Sequence, residues 1–406
     1  MSKVVCKIIS IFLICIILVQ GICFADVENE ELEENIEVSS YEEKNIPKVA
    51  SKHTICIERS TETILFENNG FEKTAMASTT KIMTAIIAIE KGNLNNIVKI
   101  SKNAAQTRGS RLELSENMEI SLKDLLYGLM LRSGNDAAVA IAEHIAGNVE
   151  NFANLMNQKA TEIGMKNSHF VTPNGLDEDE HYSSAYDMAI LANYALKNQT
   201  FREIVGTKNT NISWKGATKN ISNTNELLGN YEGVYGVKTG FTFNAGRCLI
   251  TACKKNDLDV IVVVLGANTK KDRTTDSVKI LNYVNSNYKM KDLSSIINSS
   301  FKKEEESFYN MIRCDKLVNV PSIYLVTDSN TTFPILKNEE AYISTKCFAF
   351  NKFAESIEKD TKVGEMQIYV GNNLLTRYSI CLKEKVERKN FLNFMLEILK
   401  QYNNLS

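Results

Sequence analysis

The chain has 406 residues, 44% of them hydrophobic, enough for more than one domain and for a proper core. Its formal net charge of -2 argues against nucleic acid as the main partner. Nine cysteines form no Cys-x-x-Cys pair, and His53, His144, His169 and His181 form no His-Glu-x-x-His pattern, so no metal or other cofactor is expected.

In chain order, Lys3 and Lys7 precede an apolar run from Ile8 to Val19. Gly21, Cys23 and Ala25 then supply small residues before the acid that begins at Asp26. This is the pattern of a secretory signal peptide over residues 1–25, cut after Ala25. The alternative is an uncleaved membrane anchor, but the apolar stretch is short against the ~20 residues of a full span. Gln20-Gly21-Ile22 before Cys23 is the wrong chemistry for lipid attachment. Either way, the remainder is expected to work outside the cytoplasm. Residues 26–48 are acidic and poor in large apolar side chains, which reads as a solvated linker. Cys56, Cys248, Cys253, Cys314, Cys347 and Cys381 remain after the leader. The domain is large enough not to need disulfides. Cys248 and Cys253 fall at an even and an odd position of one expected strand, so they face opposite sides and should not pair. Mostly buried thiols are expected.

Residues 53–66 read as two strands with a turn near Ser60-Thr61. A helical period takes over at 79–90, where Ile82, Met83, Ile86, Ile87 and Ile89 are apolar. Helices follow at about 122–132, 137–145, 152–163 and 185–195. Strands return at 233–239, 247–253 and 259–267, and a closing helix spans about 274–288. This order predicts an α+β domain over residues 49–290, with helices packed on one antiparallel sheet. After Asp292, alternating segments such as Ser322-Ile323-Tyr324-Leu325-Val326 and Gln367-Ile368-Tyr369-Val370 predict a small all-β domain over 291–384. In residues 385–406, Phe391, Leu392, Met395, Leu396 and Leu399 recur at helical spacing beside Arg388, Lys389 and Lys400. That predicts an amphipathic helix suited to a membrane surface and too short to span one. Packing against the protein itself is the alternative.

Three short motifs lie within these elements: Ser78-Thr79-Thr80-Lys81, Ser133-Gly134-Asn135 and Lys238-Thr239-Gly240. They supply a nucleophile, a base and a carboxylate-binding edge, the parts of an acyl-transfer site that uses lysine in place of histidine. Ser-x-x-Lys alone is weak, because it recurs at Ser286, Ser299, Ser300 and Ser356. Ser78 is set apart by opening an apolar helix, where a spacing of three puts Lys81 on the same face and free backbone N–H groups can meet developing negative charge. Ser-x-Asn also recurs, at Ser101 and Ser115, but Ser133-Gly134-Asn135 lies in a loop between two expected helices. Lys238-Thr239-Gly240 occurs once, at the end of an expected strand, with Gly240 leaving that edge open to a ligand.

The chain resembles the serine D-Ala-D-Ala carboxypeptidases, the low-molecular-mass penicillin-binding proteins. Beyond the motifs, the resemblance is carried by Ala77–Ala85, Ser133–Ala137, Phe170–Asp177 and His181–Met188. It is strong over roughly 50–290 and looser over the β domain. It implies a β-lactamase/transpeptidase-like catalytic domain acting on peptidoglycan stem peptides and trapped by β-lactam antibiotics. Ser78 would attack the carbonyl of the penultimate D-alanine. Lys81 would take the serine proton and must therefore be neutral, which burial and the nearby charge of Lys238 would both favour. Ser133 would relay a proton to the leaving amine, and Asn135 would hold the substrate amide and orient Lys81. Lys238 and Thr239 would bind the terminal carboxylate. The oxyanion would sit between the backbone N–H groups of Ser78 and Phe241. Many relatives carry histidine where this chain has Phe241. Arg273 falls where the family often places an arginine near the carboxylate; an exposed salt-bridging role is the alternative. His181 would support the loop after Asp177.

Two rivals share features of this pattern. A class A β-lactamase needs a glutamate followed closely by Leu-Asn, and neither Glu178 nor Glu180 is so followed. A non-catalytic cell-wall-binding protein of the same fold would not require the intact Ser78 and Lys81.

Overall fold

The structure, a computed structural model, describes residues 46–311, 322–327, 331–350, 356–387 and 389–403. The expected signal peptide, nearly all of the acidic linker and Cys314 lie outside them.

Two strands, β1 (His53–Glu58) and β2 (Ile64–Asn68), pair as the expected hairpin. They join β7 (Val234–Thr242), β8 (Gly246–Lys255) and β9 (Leu258–Ala267) in one antiparallel sheet of order β2-β1-β9-β8-β7. β8 and β9 are buried on both faces, which explains their nearly unbroken apolar sequence. One face, with Ile55, Ile57, Cys248, Ile250, Ile261 and Val263, belongs to the main core. The opposite face, with Cys56, Leu249, Cys253, Val262 and Val264, packs on Ile280, Leu281 and Val284 of α8 (Lys270–Asn287). Cys248 and Cys253 thus face opposite sides, and Cys56, Cys248, Cys253, Cys347 and Cys381 are all free thiols.

Between β2 and β7 come α1 (Lys81–Lys91), α2 (Lys102–Ala105), α3 (Leu122–Leu131), α4 (Asn135–Ala146), α5 (Val149–Glu162), α6 (Ala185–Leu196) and α7 (Gln199–Gly206). The starts of α3, α5, α6, α7 and α8 are set by short polar side chains. Ser121, Asn148, Ser184, Asn198 and Thr269 each accept a hydrogen bond from the backbone N–H three residues on. A second, small sheet of order β3-β4-β5-β6 joins β3 (Ile97–Lys99), β4 (Glu119–Ser121), β5 (Asn209–Trp214) and β6 (Ala217–Ser222).

The structure corrects three local expectations. First, α1 begins at Lys81 after a separate 3-10 turn, Ala77–Thr80. Both the backbone N–H and the hydroxyl of Thr79 bond to the Met76 carbonyl, which tightens this turn. Second, Asn135 is the first residue of α4 and not a loop residue. Third, Lys238-Thr239-Gly240 lies inside β7, which stays in register with β8 through Thr242↔Gly246.

β10 (Tyr288–Asp292) follows α8 directly and pairs with β12 (Thr332–Leu336). A four-stranded sheet of order β11-β15-β14-β13 joins β11 (Ile323–Leu325), β13 (Ile343–Ala349), β14 (Lys362–Val370) and β15 (Asn373–Leu382). α9 (Ser294–Met311) places Ile297 and Phe308 in the same core as Met366, Ile368, Tyr378 and Ile380. The last helix, α10 (Phe391–Asn403), exposes Phe391, Leu392, Ile398 and Leu399. No helix among the described residues is long and apolar enough to cross a membrane.

Candidate active site

A 3-10 turn has three residues per turn, so side chains three apart stack one above the other. This brings Lys81 Nζ to 2.8 Å from Ser78 Oγ. Lys81 is wholly buried and also donates to Asn135 Oδ1 (2.8 Å) and to the Asn174 carbonyl. The Asn135 amide is oriented by its Nδ2, which donates to the Arg108 carbonyl at 2.7 Å. Burial, followed by the cation of Lys238, holds the Lys81 amine well below the usual lysine range; Asp136 opposes them. A neutral amine has two N–H donors and one lone pair. Both donors are taken by groups that can only accept, so the lone pair is left to the Ser78 hydroxyl.

Two non-glycine residues at this site adopt the left-handed region, Ala77 (φ 49°) and Ser133 (φ 61°). Ser133 is buried and its Oγ has no hydrogen-bond partner among the described residues, Ser78 and Lys81 included. Asp136, one residue into α4, is wholly buried and accepts from the N–H groups of Leu112, Glu113 and Leu114. It ties the 112–114 segment to the helix that carries Asn135.

β7 is the edge strand of the large sheet and meets the 3-10 turn. A Cβ on Gly240 would lie 3.0 Å from Ser78 N and 3.1 Å from Ala77 Cβ, so a side chain there would push the turn away. Behind the turn, Gly175 (φ 79°) approaches so closely that a Cβ would sit 2.0 Å from the Ala77 carbonyl oxygen. Lys238 is buried and donates to the Thr239 carbonyl at 2.9 Å. Burial, then the nearby Arg273, brings its pKa down to about 7. Arg273 itself is 4% exposed, which corrects the exposed alternative, although it does approach Glu226 at 3.7 Å; its Nε has no partner among the described residues. Thr239 Oγ1 lies 2.7 Å from Thr224 Oγ1. Phe241 stacks its ring under the Arg247 guanidinium, 3.7 Å from the centroid, beside the exposed Phe243.

His181 donates its backbone N–H to the Glu178 carbonyl, in the loop after Asp177, and its ring braces a second place. Its Nδ1 accepts from the N–H groups of Val171 and Thr172, before Asp177. Nε2 must then carry the proton and donate to Thr80 Oγ1, 3.0 Å away. Burial, with His169 and Lys81 nearby, lowers its pKa to about 4 and keeps the ring neutral. One residue therefore pins both the turn bearing Ser78 and the loop bearing the Asn174 carbonyl. Asp177 accepts a 2.7 Å hydrogen bond from Thr242, joining that loop to the end of β7. Asp136, Asn174 and Thr224 were not singled out from sequence. The first two lie in stretches that carry the family resemblance; Thr224 has no local signal.

Comparison with known proteins points to one family. The family profile described as D-alanyl-D-alanine carboxypeptidase matches residues 40–269, and that of the penicillin-binding protein 5 C-terminal domain matches 318–388. The D-alanyl-D-alanine carboxypeptidase DacF of Bacillus subtilis is 34% identical over 85% of this chain and 88% of its own length. Penicillin-binding protein 5 from Haemophilus influenzae superposes with a TM-score of 0.68 at 25% identity, over 85% of this chain and 99% of that one. The Streptomyces K15 DD-transpeptidase superposes with a TM-score of 0.57 at 33% identity, over 59% of this chain and 98% of that one. With its lysine-paired serine, its penicillin-binding fold and these matches along most of its length, the chain belongs to the D-alanyl-D-alanine carboxypeptidase family of serine peptidases.

Proposed function

We propose that Ser78 attacks the carbonyl of the penultimate D-alanine of a peptidoglycan stem peptide, with neutral Lys81 taking its proton. The observation that carries this reading is the Lys81 amine, buried, held well below the usual lysine range and donating to two carbonyl acceptors, with Ser78 Oγ as its third neighbour. Asn135 holds Lys81 in place. The orphaned hydroxyl of Ser133, kept in a left-handed backbone, is suited to pass a proton to the departing D-alanine. Lys238 and Thr239 receive the terminal carboxylate, with Arg273 behind them supplying further positive field. The backbone N–H groups of Ser78 and Phe241 flank the bare Gly240 and suit a tetrahedral oxyanion; each such donor is typically worth ~3 kcal/mol. Water then frees the acyl-enzyme, and a β-lactam in the same pose leaves a slowly hydrolysed ester on Ser78.

The resemblance to a named DD-transpeptidase supports a second outcome from the same acyl-enzyme, in which an amine replaces water. Export through residues 1–25, extension on the acidic linker 26–48, and contact of α10 with the membrane surface complete this reading. The apolar side chains that α10 leaves exposed support the last. The division near residue 290 is supported by separate cores, since the residues from Leu293 to Val386 share one of their own.

The test is mass spectrometry after benzylpenicillin treatment, alongside D-alanine release from a diacylated lysyl-D-alanyl-D-alanine peptide. An adduct on Ser78 and free D-alanine are expected. An adduct on any other residue would overturn the mechanism.

A further inference from the structure

The short segment Asn223-Thr224-Asn225 is held more firmly than a surface turn needs to be. The Asn223 side-chain amide donates to the carbonyls of Val205 and Thr207, both at 3.1 Å. Asn223 Oδ1 accepts from the Asn225 N–H, and Asn225 Oδ1 accepts from the Leu227 N–H. The backbone is fixed again on both sides, by Asn223 N–H to the Lys208 carbonyl and Thr224 N–H to the Leu131 carbonyl. Asn225 is buried, whereas Thr224 stays exposed, with its hydroxyl 2.7 Å from that of Thr239.

A threonine hydroxyl has one proton to give and two lone pairs, while a carboxylate only accepts. In the free enzyme either threonine can be the donor. Once a carboxylate binds Thr239, the single Thr239 proton points at it. The contact between the two threonines then survives only with Thr224 donating. The geometry points to Thr224 as a positioning and specificity residue: a fixed donor that sets the direction of the Thr239 hydroxyl toward a C-terminal carboxylate. A hydroxyl accepting one hydrogen bond while donating another is also a stronger donor. The inference rests on Thr239 as a carboxylate ligand.

Thr224→Val keeps the shape and removes the donor. Steady-state release of D-alanine from diacylated lysyl-D-alanyl-D-alanine is expected to show KM raised about fivefold, the size of one neutral hydrogen bond, with kcat unchanged. Thr224→Ser is expected to restore KM, and an unchanged melting temperature shows that both variants fold. In a double-mutant cycle, Thr224→Val is expected to add nothing on a Thr239→Val background. Wild-type kinetics for Thr224→Val, a fall in kcat at constant KM, failure of serine to restore KM, or full additivity with Thr239→Val would each overturn the inference. If Thr239→Val alone leaves KM unchanged, the carboxylate assignment falls and the inference falls with it, an outcome distinct from the others.

Discussion

Lys81 and Lys238 make opposite demands on pH. Lys81 must be neutral to act as a base, so activity is lost as pH falls through its lowered pKa. Lys238 must be charged to bind a carboxylate, so affinity is lost as pH rises through about 7 in the free enzyme. A bell-shaped kcat/KM profile is therefore expected, with its alkaline limb near neutrality. The limb should lie higher in kcat, because a bound carboxylate holds the proton on Lys238. Arg273→Gln removes the neighbouring cation and is expected to move the alkaline limb of kcat/KM to higher pH; a profile that stays put would detach Arg273 from Lys238. The Ser78–Lys81 pairing was legible in the sequence because it depends on a local spacing of three. The roles of His181 and Thr224 were not. His181 meets Thr80 across 101 positions, and Thr224 meets Thr239 across 15, through folds of the chain that no periodicity announces.

The elements that were easiest to read are those with long apolar periods: β8, β9, α1 and α3. The hidden ones are short or half-solvated. β3 and β4 have three residues each, and β5 and β6 expose much of their Asn- and Thr-rich length. α9 went unread because Lys302-Lys303-Glu304-Glu305-Glu306 interrupts its apolar positions. The closeness of β7 to the 3-10 turn gives a prediction at this scale. Gly240→Ala forces the edge strand and the turn apart by tenths of an ångström. Penicillin acylation is expected to fall on the order of 100-fold, with little change in circular dichroism, since misplacing reacting atoms costs rate more than fold. Acylation at the wild-type rate would show that the turn yields freely.

For the whole molecule, the sequence conveyed an α+β catalytic part followed by a small all-β part; α9 corrects the all-β reading, and the family matches extend over both parts. What it left open was the use of α10, since an apolar stripe reads the same whether it faces protein or lipid. Most of its large apolar side chains are exposed, between 40% for Met395 and 80% for Phe391. A chain ending at Glu387 is expected to keep its kcat and KM on a soluble tripeptide but to lose sedimentation with anionic phospholipid vesicles. Equal sedimentation of the full and shortened chains would remove the membrane from the picture.

The position of β7 at the edge of its sheet has a consequence for what the enzyme recognises. A peptide lying against it is expected to pair as a sixth strand, gripped through main-chain amides as sheets grip their own members. Exchanging side chains upstream of the two D-alanines is then expected to be tolerated. N-methylation of the penultimate D-alanine, which erases one amide hydrogen and leaves the side chains alone, is expected to reduce D-alanine release to background.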